Sequence, residues 1–150
     1  MTQETRAALE QAIQAKAEVS KDLVGRDVSV LDERHADSIA HDLDLTLSDV
    51  FKATLSLHVY PRRYLRNREG LSLQDQLTLS ESSVAVVGAG GLGGTVVHLL
   101  GRIGVGRLTV VDADVFDETN LNRQIFCTGD WVGKPKALAV QSQMKGINPA

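Results

Sequence analysis

Cysteine occurs once in these 150 residues, at Cys127, so an internal disulfide and a cysteine-rich zinc site are both excluded. A secreted, disulfide-stapled scaffold is thereby set aside, and a reducing compartment is expected. Long apolar runs are also missing. None approaches the roughly 20 residues that cross a bilayer, and the opening MTQETRAALEQAIQAKAE is too polar for the core of a signal peptide, so a cytoplasmic location with no membrane partner is expected. Aromatics are scarce at 4%, and no excess of one charge dominates: 16 Lys and Arg face 19 Asp and Glu, a net charge of -3. A uniformly basic nucleic-acid binder is disfavoured by that balance, as is a highly charged disordered chain. The four histidines, at 35, 41, 58 and 98, show no mutual metal-ligand spacing, and no metal site is assigned to them.

What is present is unevenly spread. Residues 1–58 carry a net charge of -5, and residues 59–150 carry +2. Two regions with different tasks are expected, a helical N-terminal extension at 1–58 and a nucleotide-binding segment at 59–150. In the first, Leu9, Ala12, Ile13, Ala17, Ser20 and Val24 follow a three-and-four spacing that predicts one helix over 4–24. An acidic, turn-prone stretch follows at 27–33. Two shorter helices are then expected on either side of Asp44-Leu45-Thr46, the second capped by Thr46 with Asp49 three positions on. The region is therefore read as all-helical: a cap or dimerisation arm or, as an alternative that its negative charge disfavours, a helix-turn-helix with 47–57 as its recognition helix.

The stretch from Tyr60 to Arg68 then places four arginines in nine residues, bracketed by Pro61 and Gly70. Beyond a short helix over 71–79, Ser83-Val-Ala-Val-Val87 is the uninterrupted β-branched run of a buried parallel strand. A glycine turn, a helix through Ile103 and a second strand over 107–111 complete one βαβ unit. The polar stretch 112–133 reads as a long functional loop with one short helix, and Pro135 opens a last helix over 136–145. The expected fold class is α/β, the start of a Rossmann-like doubly wound parallel sheet preceded by the all-helical region and truncated before its third strand.

Chemistry concentrates around Gly88-Ala-Gly90-Gly91-Leu-Gly93, which follows a strand and opens a helix. Glycines there permit a tight turn and let backbone N–H groups approach a phosphate at the positive end of a helix. Asp112 closes the next strand, where a carboxylate accepts hydrogen bonds from ribose hydroxyls, in NAD as readily as in ATP. Arg123 and Lys136 tip this balance. Hydride transfer leaves both without a task, whereas cleavage of a triphosphate builds negative charge that such cations stabilise. An NAD(P)-dependent oxidoreductase and a non-catalytic nucleotide-binding or dimerisation fragment are the rival readings.

In order, the pieces Arg63-Tyr-Leu-Arg66-Asn67, GAGGLGG, Gly104-Val-Gly-Arg-Leu-Thr-Val-Val-Asp-Ala-Asp114, Asn120-Leu-Asn-Arg123-Gln124, Val132-Gly-Lys-Pro-Lys136 and Ile147-Asn-Pro149 resemble the MoeB/ThiF/HesA family of adenylating enzymes. That resemblance implies a reaction in which the C-terminal carboxylate of a ubiquitin-like sulfur-carrier protein or peptide is adenylated by Mg-ATP. It further implies that Gly88, Gly90, Gly91 and Gly93 hold phosphates, Asp112 holds ribose and Asp114 lies beside it. Asn120, Arg123 and Lys136 would contact phosphates, and Gln124 would support the loop. Arg66 would act as an arginine finger across a homodimer; Arg66, Arg123 and Lys136 are thus the implied catalytic residues. The aspartate ligand of Mg2+ is expected beyond residue 150, as is any zinc. One departure stands at Asn67, where the family usually has Gln.

Overall fold

The computed structural model describes residues 1–150 and resolves two packing units, Met1–Glu81 with Ala150, and Ser82–Pro149. The division falls later than the boundary expected at 58/59.

In the first unit, α1 (Gln3–Lys16) is capped by the Thr2 side chain and buries Leu9 and Ile13. It stops at Ala17, short of the expected 24, because the chain turns into strand β1 (Glu18–Lys21), which pairs antiparallel with β2 (Asp27–Leu31). Strand β2 in turn pairs parallel with the two-residue β3 (Tyr60–Pro61). The region is therefore not all-helical. Its "turn-prone" acidic stretch contains Val28, Val30 and Leu31, all buried, and the alternation of Val28 and Val30 with polar neighbours is the period of a strand. The two expected helices are present as α2 (Glu33–Asp42) and α3 (Leu47–Ser56), joined through Asp44 at φ 53°. Thr46 and Asp49 form a reciprocal capping box, each side chain bonding the other's backbone N–H.

Helix α3 forms the middle of this unit. Its Val50, Phe51, Thr54 and Leu55 are buried, and it packs on α1, α2, β3 and α4 (Leu73–Glu81). The face it leaves open carries Asp49 and Ser56 with a half-buried Lys52, too little positive charge for DNA phosphates, which disfavours the helix-turn-helix alternative.

In the second unit, β4 (Ser83–Val87), α5 (Gly91–Ile103) and β5 (Arg107–Val111) make the expected parallel βαβ, in register from Ser83 opposite Arg107 to Val87 opposite Val111. Helices α5 and α6 (Lys136–Ile147) cover one face through Val86, Leu108, Val110, Val97, Ala139 and Val140. Burial on both faces was expected of β4. Instead the strand alternates half-buried with exposed residues, ending on Val87 at 86% exposure. Two short 3-10 turns, Glu118–Asn120 and Gly129–Trp131, organise the long loop, where one short helix was expected. Cys127 is buried in the same core with its thiol directed at the Asp117 carbonyl, as befits a structural thiol.

A candidate nucleotide site at the end of the parallel strands

The glycine loop turns directly off β4. Gly88 adopts φ +90°, a left-handed conformation, and its N–H bonds the Val111 carbonyl at 2.7 Å. Gly90 then enters α5 with an extended backbone and no side-chain cap. The first-turn N–H groups of a helix have no intrahelical acceptor, so this end presents open donors and a partial positive charge. Gly93 explains the motif's last glycine: a Cβ there would stand 1.9 Å from the Gly88 carbonyl oxygen. Gly94, which sequence reasoning passed over, is constrained less severely, at 3.2 Å from the Ala89 oxygen. Its signal was the last glycine of GLGG.

Asp112 clasps this loop. One carboxylate oxygen accepts from the Ala89 N–H at 2.6 Å and the other from the Asp114 N–H at 2.8 Å. Burial works to raise its pKa, but these two bonds and the nearby Lys136 charge outweigh it and hold the carboxyl below its ordinary range. An ionised carboxylate offers about four lone-pair sites, so two remain open to further donors.

Isolated bridges from Val115 to Pro135 and from Phe116 to Val132 bring the start of the loop against its end. They set Lys136 beside Asp114: Nζ donates to Oδ2 at 3.1 Å, and the Lys136 backbone N–H donates to the Asp114 carbonyl. Lys136 is only 7% exposed, and its ammonium stands 5.9 Å from the centre of the Phe116 ring, a neighbour the sequence did not point to. Asn120 is buried and bonds the Asp117 N–H through its side-chain oxygen, closing a capping box with Asp117. Asp117 is thus a loop organiser that sequence reasoning missed. Arg123 donates to the Thr119 carbonyl at 2.7 Å and remains exposed.

Gln124 lies over the glycine loop. A Cβ on Gly90 would be 3.9 Å from its carboxamide, and one on Gly91 would be 3.6 Å from the Arg123 carbonyl. The Gln124 Oε1 atom is buried without a partner. An orphaned polar atom beside an uncapped helix start fits a polar ligand in this cradle. Gly88, Gly90, Gly91, Gly93, Asp112, Asp114, Asn120, Arg123, Gln124 and Lys136 therefore all belong to the second unit, and Arg66 belongs to the first. No three His, Cys, Asp or Glu side chains converge as metal ligands.

Residues 64–150, more than half of the chain, match the ThiF family. The chain belongs to the ThiF family. Among curated relatives, it is 42% identical over 90 residues to the SAMP-activating enzyme E1 of Haloferax volcanii, covering 60% of this chain and 33% of that one. It is 46% identical over 76 residues to the sulfur carrier protein adenylyltransferase of Thermus thermophilus, covering 51% of this chain and 28% of that protein. Among solved structures, the E. coli tRNA N6-threonylcarbamoyladenosine dehydratase in complex with ATP matches with a TM-score of 0.57 and 32% identity, covering 59% of this chain and 36% of that one. The chain spans about a third of the length of these ThiF-family relatives. No helix is long and apolar enough to cross a membrane.

Proposed function

We propose that this chain supplies the nucleotide-binding half of an ATP-dependent adenylyltransferase that activates the C-terminal carboxylate of a ubiquitin-like sulfur-carrier protein or peptide. The observation that carries the reading is the uncapped start of α5, clasped by Asp112 and flanked by Lys136. Relatives named as a SAMP-activating enzyme and a sulfur-carrier adenylyltransferase support it, as does the ATP complex of a solved relative.

In this reading the backbone N–H groups at Gly91 to Gly93 receive phosphate oxygens, and the free lone pairs of Asp112 receive the ribose hydroxyls. The substrate carboxylate attacks the α-phosphorus, the bond to the bridging oxygen breaks, and pyrophosphate leaves with the electron pair. The products are an acyl-adenylate and pyrophosphate. Mg2+, bound to the triphosphate, supplies charge neutralisation. Lys136 and Arg123 add fixed positive charge where negative charge grows, and Asp114 holds the Lys136 ammonium in place. Arg66 contributes from the first unit, acting on the site of a second copy in a homodimer. Positioning and charge neutralisation carry the catalysis.

Calorimetric titration of the chain with Mg-ATP and, separately, with NAD tests the reading. Heat with ATP and none with NAD is expected. Binding of NAD alone makes the site a dinucleotide site and overturns the proposal; silence with both leaves a glycine motif without a nucleotide site.

A further inference from the structure

The four arginines of the 3-10 segment Arg62–Glu69 are not equivalent. Arg62 pairs with Asp32 and, at 3.6 Å, with Glu18. Arg63 grips both carboxylate oxygens of Glu33 and lies 5.7 Å from the Phe51 ring. Arg68 donates from Nε to Asp22 at 3.1 Å, reaches the Tyr60 hydroxyl at 3.3 Å and lies over the Tyr60 ring. Arg66 is exposed and, alone of the four, has no acidic partner. Four acids of the N-terminal region, Glu18, Asp22, Asp32 and Glu33, are thus engaged by this segment.

Asp22 is the most buried of these acids, its side chain 1% exposed. It sits in the β1–β2 turn and accepts from the Val24 N–H at 3.0 Å, the Arg26 N–H at 2.9 Å, the Arg26 Nε at 2.6 Å and the Arg68 Nε at 3.1 Å. Four donors saturate a carboxylate and fix its orientation. Arg26 extends the network to Glu69 at 3.1 Å. Arg66 lines the same small cavity as Asp22, together with Lys21, Leu23 and Leu65. A saturated Asp22 has no acceptor left for Arg66.

We infer that Asp22 is a positioning residue: by engaging Arg68 it anchors the 3-10 segment to the β1–β2 turn and keeps the neighbouring Arg66 unpaired and available to a nucleotide phosphate. The role rests on the adenylation reading of Arg66. Burial works to raise the Asp22 pKa, but bonds from Arg26, Val24 and Arg68 overcome it and hold the carboxyl well below the ordinary range, so the anchor is charged at neutral pH.

Two readouts test this in the whole chain. Mass spectrometry after phenylglyoxal treatment ranks guanidinium accessibility. Of the four arginines of the segment, Arg66 is expected to react first in the wild type, and Asp22→Asn is expected to unmask Arg68 and slow Arg66. Calorimetry with Mg-ATP then compares wild type, Arg66→Ala, Asp22→Asn and the double variant. Each single variant is expected to weaken binding by about tenfold, the scale of one charge-assisted hydrogen bond, and the double variant to be no weaker than Arg66→Ala. A general structural defect would instead weaken binding equally in both backgrounds. Wild-type affinity in Asp22→Asn, with Arg66→Ala weakened, overturns this inference and leaves the adenylation reading standing. Wild-type affinity in Arg66→Ala overturns the assignment of Arg66 and the role of Asp22 with it. If Asp22→Asn does not fold, Arg68→Lys, which keeps the charge but loses the Nε donor, takes its place in the calorimetric comparison under the same outcomes.

Discussion

Replacing Gly93 by alanine puts the glycine loop under a defined load. The added Cβ would lie 1.9 Å from the Gly88 carbonyl oxygen and 2.9 Å from its carbon, where an ordinary contact spans 3.4–4 Å. Both atoms are backbone, so no flexible side chain can swing aside, and the turn must open by more than an ångström. Overpacking of this kind costs about 1–3 kcal/mol. Gly146, in the exposed last turn of α6, is the internal control: nothing lies within 4 Å of its added Cβ, and Gly146→Ala should stabilise by about 0.5–1 kcal/mol through helix propensity. Urea unfolding followed by circular dichroism reads the two opposite signs. Displacing Gly88 also moves the Ala89 N–H that Asp112 holds at 2.6 Å, so Mg-ATP affinity should fall sharply in Gly93→Ala and stay level in Gly146→Ala. Misplacement by 1 Å costs on the order of 100-fold in positioned chemistry. A Gly93→Ala chain as stable as wild type, with unchanged ATP affinity, would refute the steric account of the motif.

Further expectations concern the clasp, the cation, acid and the cap. Asp112→Asn retains one acceptor but turns an amide N–H₂ toward a backbone donor; Mg-ATP binding should weaken by about 1.5–3 kcal/mol in calorimetry, and an unchanged affinity removes the ribose assignment. Lys136→Met keeps much of the side-chain packing over Phe116 while deleting the ammonium, so unfolding should be little changed and Mg-ATP binding weakened in calorimetry; unchanged binding would acquit the lysine. The carboxyls of Asp22, Asp49, Asp75, Asp112 and Asp117 all sit below their ordinary 3.8 in the folded chain. The unfolded chain therefore binds protons first as pH falls, so their stabilisation is complete above about pH 5 and drains away below about pH 4. A urea midpoint flat down to about pH 2.5 would contradict this sign. Thr46→Ala breaks the capping box of α3 and should cost about 1 kcal/mol in thermal unfolding; a cost near zero would mean that packing alone starts the helix.

The parallel βαβ unit and the place of its glycine loop were legible in sequence because their determinants are local. A β-branched run, four close-set glycines and an aspartate at the next strand's end specify a turn whose geometry follows from backbone sterics alone, as the Gly93 contact makes plain. The Thr46–Asp49 cap is local in the same way. The small N-terminal sheet was not legible. Its strands are four, five and two residues long, and β2 gains its parallel partner only from Tyr60–Pro61, some thirty positions on, where no sequence window of helical or strand period reaches. Tertiary structure likewise decided which cation does what. Sequence shows four arginines between positions 62 and 68 and a surplus of acids before them. Only the packed chain assigns Arg62, Arg63 and Arg68 to Asp32, Glu33 and Asp22 and leaves Arg66 exposed, because ion pairing depends on distances that folding creates between residues far apart in the chain.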